Sequence, residues 1–317
     1  MSSKYAAAHQ SPQGPGDARP TALQIIKDQN LEDKLSDKTI LITGCSSGLG
    51  VETARALHIT GATLYLTVRD VKKAEANLGD LAKSPRVHFL HLELNTLDSL
   101  NILIENAGVM ACPEGRTIDG FETQIGSNHL AHFLLFYLLK PTLLASSTPE
   151  FNSRVVILSS AAHRISSVHL DNLSLEGEYE PWKAYGQSKT AGIWVANEIE
   201  RQYGAQGLHA FSLHPGGINT DLQRHTSQEQ QTAWSQDETL IKIFKSPQQG
   251  AATTVLAAVA KELEGQGGKY LEDCQISEPY DPSNGLWGPG YASWAYDVDG
   301  ERKFWKLSLE LVGLKDE

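Results

Sequence analysis

The chain has 317 residues, 40% hydrophobic and 21% charged, enough to bury a large core as one α/β domain. Its formal charge of −11, with no clustered run of Lys and Arg, argues against a nucleic-acid binder. The longest apolar run, residues 133–139, is far short of a membrane span, and no basic start followed by an apolar core marks a signal peptide, so a soluble cytoplasmic protein is expected.

Residues 1–20, MSSKYAAAHQSPQGPGDARP, are rich in Ser, Gln, Gly and Pro and read as a loose arm, within a partly disordered N-terminal extension over 1–37. A short helical lead-in precedes a single domain over 38–317. The apolar run 38–44 predicts a strand, and 48–60 a helix with Gly61 just past its last turn. A second strand (62–69) and a second helix (70–83, with Asp70 as N-cap) follow. Apolar runs over 87–92 and 100–104 predict strands three and four.

Residues 121–144 form a long helix apolar almost all round, which fits a buried or a subunit-facing element and keeps a homo-oligomer open. Then come a strand over 153–160, a helix over 182–203, a strand over 208–216, a helix over 246–260 and a final strand over 268–276. Strands alternating with helices imply a doubly wound parallel sheet of Rossmann type, covered on both faces. One connection breaks the pattern: only residues 93–99 join strands three and four, where parallel neighbours in such a sheet require a crossover of about a dozen residues or more, usually a helix.

TGCSSGLG, residues 43–50, places Gly44, Gly48 and Gly50 at the turn from the first strand into the first helix. Glycine lets backbone amides approach a pyrophosphate, and the helix N-terminus supplies favourable partial charge. A plain strand-to-helix turn is the bland alternative, and its position at the first strand favours the cofactor reading. A Tyr-x-x-x-Lys pair occurs twice, at Tyr179/Lys183 and Tyr185/Lys189. The first encloses Pro181, which disfavours helix at Glu180. In the second, residues four apart on a helix share a face. A nearby ammonium favours the phenolate and brings down a tyrosine pKa that is ordinarily near 10.

The G-x-x-x-G-x-G spacing resembles that of the short-chain dehydrogenase/reductase family, and the resemblance extends over residues 38 to about 276. ENAG (105–108) is similar to the family's strand-four motif, with Glu105 where Asn is usual. SNHLAHFLL carries Asn128, VVILSSAAH carries Ser160, AYGQSK carries Tyr185 and Lys189, and HPGGINTDL resembles the motif after strand six. The long gap between Ser160 and Tyr185 looks most like retinol-dehydrogenase-like members, including many from fungi.

The resemblance implies an oxidoreductase that interconverts a carbonyl and an alcohol with NADP(H) and a small-molecule substrate. Tyr185 would exchange the proton, Ser160 would hold the substrate oxygen, Lys189 would also bind the nicotinamide ribose, and Asn128 would anchor a relay water. The cofactor set is Gly44, Ser46, Ser47, Gly48, Leu49, Gly50, Arg69, Glu93, Asn106, Tyr185, Lys189, Pro215, Gly216, Ile218 and Thr220. Glu93 stands where the family usually has Asp facing adenine. At the end of strand two, Arg69 can accept the extra phosphate of NADP, while Asp70 is better employed as the helix cap.

Two other features invite sharper claims. His129 and His132 lie three apart on one helix, but no Cys, Asp or Glu cluster completes a metal set, and Cys45, Cys112 and Cys274 have no ligand spacing. Trp287, Trp294 and Trp305, in the stretch 279–305, fit a substrate wall or packing over the last strand. A nucleotide-binding protein without turnover stays open, favoured by the short connection after Glu93. A methyltransferase shares glycine-rich turns but has no need of the Tyr and Lys pair.

Overall fold

The computed structural model describes residues 4–90 and 98–315. Eight strands form one sheet in the order β3-β2-β1-β4-β5-β6-β7-β8. They are β1 Thr39–Thr43, β2 Thr63–Thr67, β3 Val87–Leu90, β4 Ile102–Glu105, β5 Ser153–Leu158, β6 Leu208–His214, β7 Lys269–Glu272 and β8 Gln275–Ile276. All pairings are parallel except β7 with β8. The doubly wound expectation therefore holds.

Alternation along the strands builds two cores. Ile40, Ile42, Leu64 and Leu66 face the layer made by helices Ala22–Asp28, Leu49–His58 and Ala252–Val259. Leu41, Leu103, Val155 and Ile157 face helices Ala131–Ser146, Pro181–Tyr203 and Val298–Leu311. Toward the β3 edge, among the described residues, the second core thins to Tyr65 of β2 and Leu90 of β3, both half-buried against it. Leu64 and Leu66 are fully buried, whereas Thr63, Tyr65 and Thr67, on the opposite face of β2, are half-buried, and Tyr65 stacks on His88 of β3 at 5.0 Å.

The last predicted strand is a hairpin. Asp273 and Cys274 adopt positive φ (51° and 57°), as the two residues of a type I′ turn do, and fold β8 back on β7. Strand four begins at Ile102, two residues later than expected, and strand three is described up to Leu90; the last two residues expected of it lie outside the described residues. Residues 4–20, read from composition as a loose arm, pack against the body instead. Tyr5 and Arg19 are buried, and Tyr5 donates to Asp28 Oδ2 at 3.0 Å.

Candidate active site

The glycine turn is fastened from below by Thr43. Its Oγ1 accepts the N–H groups of Asn106 and Ala107, both at 2.9 Å, and lies 2.8 Å from His132 Nε2. His132 Nδ1 is 3.2 Å from the Asn128 carbonyl, which can only accept, so Nδ1 carries the proton and Thr43 donates to Nε2. Burial pushes His132 down to about 4 and keeps it neutral. Gly44 has φ 74°, and a Cβ there would stand 2.7 Å from Ala107 Cα, so only glycine lets β1 and the strand-four motif approach this closely. Asn106 Nδ2 closes the arrangement with bonds to the carbonyls of Thr43 (2.8 Å) and Gly44 (3.2 Å).

Above this base, Ser46, Ser47, Gly48 and Leu49 line a cavity of about 1300 Å³ at the start of helix Leu49–His58, while Gly50 packs behind, against Asn106. Arg69, Pro215, Gly216, Ile218 and Thr220 line the same cavity. Asp70 caps the next helix, its Oδ1 accepting Lys73 N–H at 3.0 Å, which leaves Arg69 as the side chain at the mouth. Across the opening, Lys73 pairs with Asp221 at 2.6 Å. Glu93 lies outside the described residues.

Helix Pro181–Tyr203 delivers the second half of the site. Pro181 occupies its first turn, and the Glu180 carboxylate accepts the N–H groups of Trp182 (3.0 Å) and Lys183 (2.6 Å). Gly186 permits close packing on the Ser160 segment, because a Cβ there would meet the Ala162 carbonyl at 2.7 Å. Tyr185 consequently reaches Ser160. Burial pushes its phenol up to about 12, against the lowering hydrogen bond from Ser160. Lys189 Nζ sits 5.5 Å from the Tyr185 ring centroid and donates to the Leu158 carbonyl at 2.8 Å. Burial brings that amine down to about 8. The lowering of Tyr185 expected from the lysine is not found here: desolvation dominates, and the opposing contribution comes from Ser160.

Ser160, Tyr185 and Lys189 share the cavity with the glycine turn. Asn128 sits beneath it: Oδ1 accepts Val109 N–H (2.8 Å), and Nδ2 donates to Val109 O and Ser188 Oγ (both 2.9 Å). The members of the other Tyr-Lys pair have separate partners away from the cavity lining. Tyr179 donates to Cys112 O at 2.9 Å and accepts from Gln124 at 3.2 Å, and Lys183 pairs with Glu178 at 2.6 Å. His129 and His132 also have separate partners, Ser308 and Thr43.

The far end of the cavity is apolar and aromatic, with Met110, Trp182, Leu222, Trp234, Phe244 and Trp287 in its wall. Arg164 is tied down there, donating to the carbonyls of Gly288 (2.7 Å) and Leu286 (3.2 Å) with Tyr280 beneath its guanidinium at 4.2 Å. Of the tryptophans of the C-terminal stretch, one fits the expected wall, and Trp305 packs on helix Ala131–Ser146 and not over the last strand. Trp287 lines the cavity, whereas Trp305 is buried against Phe133 and Phe136. Sequence reasoning missed His163, whose Nδ1 donates to Ser160 O at 2.7 Å while Nε2 accepts Ala292 N–H at 3.0 Å, joining the Ser160 strand end to this wall. A histidine three residues after the strand-end serine was the available signal.

Glu105, in the position where Asn is usual, is buried, and its Oε1 has no partner among the described residues. Desolvation pushes the carboxyl up to about 8. The folded chain then keeps this proton up to about pH 8 while the unfolded chain releases it near the ordinary glutamate value of 4.5, so stability falls as pH rises between the two. Glu105→Gln should raise Tm at pH 9 by about 5 °C and change it little at pH 5. Thermal scans at the two pH values test this, and an equal shift at both would show that ionisation is not involved.

A family model described as short chain dehydrogenase matches residues 38–231. The chain is 52% identical over 327 residues to short-chain dehydrogenase/reductase prx1 of Penicillium roqueforti, covering 99% of this chain and 96% of that protein. Against human retinol dehydrogenase 11 it is 35% identical over 299 residues, covering 89% and 87%. A crystal structure of an uncharacterised protein from Mycobacterium paratuberculosis superposes with a TM-score of 0.68 at 32% identity, over 94% of this chain and 99% of the other. The chain belongs to the short-chain dehydrogenase family, whose members are oxidoreductases that use a nicotinamide cofactor in carbonyl and alcohol chemistry. Among the described residues, no helix is long and apolar enough to cross a membrane.

Proposed function

We propose that this chain is an NADP(H)-dependent oxidoreductase that interconverts a carbonyl and an alcohol with Tyr185 as general acid and base. The observation that carries this reading is the convergence of Ser160, Tyr185 and Lys189 on the cavity whose other end is the glycine turn. The residues fit a dinucleotide: a backbone cradle at Gly44, a helix N-terminus behind Gly48 and a cationic side chain, Arg69, at the end of β2. When bound, the nicotinamide supplies or accepts the hydride.

The chain's own residues do the rest. Ser160 and Tyr185 hold the substrate oxygen, and Tyr185 gives its phenolic proton to that oxygen in reduction or takes it in oxidation. Lys189 would hold the nicotinamide ribose and favour the phenolate through its charge. The Asn128 amide is spent on Val109 and Ser188, so its main-chain carbonyl, shared with His132, is the atom left for a relay water.

NADPH is expected to bind at least about tenfold tighter than NADH, about 1.4 kcal/mol, because Arg69 can pair with the extra phosphate whereas Asp70 is committed to its helix. Fluorescence titration of both cofactors measures the gap, which Arg69→Ala should narrow to about threefold. Equal affinities in the parent chain would sink the NADP assignment. The half-buried face of β2 favours a second reading, nucleotide binding without turnover. NADPH oxidation with a panel of aldehydes, ketones and quinones separates the two.

A further inference from the structure

Arg19 is far from the cofactor residues in sequence yet buried, with four per cent of its surface exposed. Its guanidinium reaches three successive carbonyls at the end of helix Glu238–Ile243: Lys242 (3.3 Å), Ile243 (2.6 Å) and Phe244 (2.7 Å). The last carbonyls of a helix have no partner within it, and a planar five-donor cation suits them. Asp17 Oδ1 holds Arg19 Nε at 2.9 Å, and Gly14 N–H donates to Lys242 O at 2.8 Å. Gln249 locks the arm from the other side, accepting Gly16 N–H at 2.9 Å and donating to the carbonyls of Asp17 (3.2 Å) and Arg19 (3.1 Å).

The segment so gripped is a wall of the cavity. Leu240, Ile243 and Phe244 line it, and the Phe244 ring lies where a Cβ on Gly217 would stand, at 2.8 Å. Past Phe244 the wall is fixed by the buried Lys245, whose N–H donates to Gly217 O at 2.8 Å and whose ammonium pairs with Asp273 at 2.7 Å. Before it anchorage is sparse, since helix Gln228–Gln236 contributes no buried residue and helix Glu238–Ile243 only Leu240. Segments with so few buried contacts open at low cost unless tethered.

We propose that residues 13–19 are a clasp on the substrate wall, with Arg19 as the positioning residue that sets the affinity for bulky apolar carbonyl compounds. The clasp acts first on the substrate end of the cavity, and touches the cofactor residues at second hand, through Phe244 against Gly217 and Gln249 beside Gly250. It rests on the oxidoreductase reading for the nature of the ligand, but not for the mechanics.

The test compares the full chain with Arg19→Ala and Arg19→Lys. Amide hydrogen exchange should quicken at least about tenfold over 238–244 in Arg19→Ala, with β1, β4 and β5 unchanged. The dissociation constant for 2-naphthaldehyde, read by quenching of protein tryptophan fluorescence, should rise about five- to tenfold, while that for NADPH stays within about twofold. Arg19→Lys keeps the charge but not the fork and should fall between; it also keeps the test open if the alanine variant fails to fold. Unchanged exchange over 238–244, or equal losses of aldehyde and NADPH affinity, would overturn the clasp. A parent chain that reduces no carbonyl would refute the oxidoreductase reading alone, since exchange and binding still decide the clasp.

Discussion

Tyr185→Phe is expected to lower kcat by about a thousandfold or more while changing NADPH affinity less than about threefold. General acid or base catalysis is worth about 10² to 10⁴, and the buried phenol is the acid group that contacts Ser160 in the cavity. The loss should be wholly in the chemical step, because the ring that contributes packing is retained. Tyr179→Phe is the matched control. It removes a hydroxyl bonded to Cys112 O and Gln124, away from the cavity lining, and should cost about 1 kcal/mol of stability with kcat within about twofold. Steady-state kinetics with any carbonyl that the parent reduces, beside cofactor titration of each variant, decides between the pairs. Equal losses of kcat from the two substitutions would sink the assignment of Tyr185.

The difference between the two pairs was legible because it depends on local backbone chemistry. Pro181 fixes the start of the helix, Glu180 takes the extended conformation that precedes a proline, and Tyr185 and Lys189 fall one turn apart inside. The glycine turn was readable for the same reason. Roles set by distant contacts were not. Nothing in Gln13–Arg19 announces that carbonyls some 220 residues later will hold it, so a composition typical of loose segments misled. Asn128 was placed by its motif, but the partners that occupy its amide, Val109 and Ser188, come from two other segments. The helix Val298–Leu311 had a readable signal in Asp297, whose carboxylate caps Gly300 N–H at 3.1 Å, followed by Phe304, Trp305, Ser308 and Leu309 on one face. The aromatic stretch was read instead as a substrate wall or as packing over the last strand, without a helix.

A helical crossover of the family type, inserted after Ser99, is expected to tighten NADPH binding at least about tenfold and to raise Tm by about 4 °C. Length does not prevent the existing connection from closing. β3 and β4 stand three positions apart, about 14 Å at the usual strand spacing, and Ile102 is level, through Ile40 and Leu64, with Val87 at the start of β3. The return from Leu90 therefore adds about 10 Å, a straight-line gap of about 17 Å. Residues 91–101 reach about 36 Å when extended. That is ample slack. Eleven residues are still fewer than the roughly one dozen or more of an ordinary crossover between parallel strands. A parallel sheet is ordinarily covered on both faces, yet Thr63, Tyr65 and Thr67 of β2 are only half-buried on the side where such a helix would pack. The alignment to prx1 runs over 327 positions against 317 residues here, so that relative carries at least ten positions with no counterpart in this chain. The deficit acts on cofactor affinity because β2 ends at Arg69, beside the cavity. Covering this face needs to bury only one more large apolar side chain, about 1.5 to 3 kcal/mol, to produce the expected rise in Tm. Cofactor titration, melting curves and turnover of the two proteins side by side measure the effect. If the unmodified chain performs as well, the bare face is immaterial, and the second reading, binding without turnover, loses its main support.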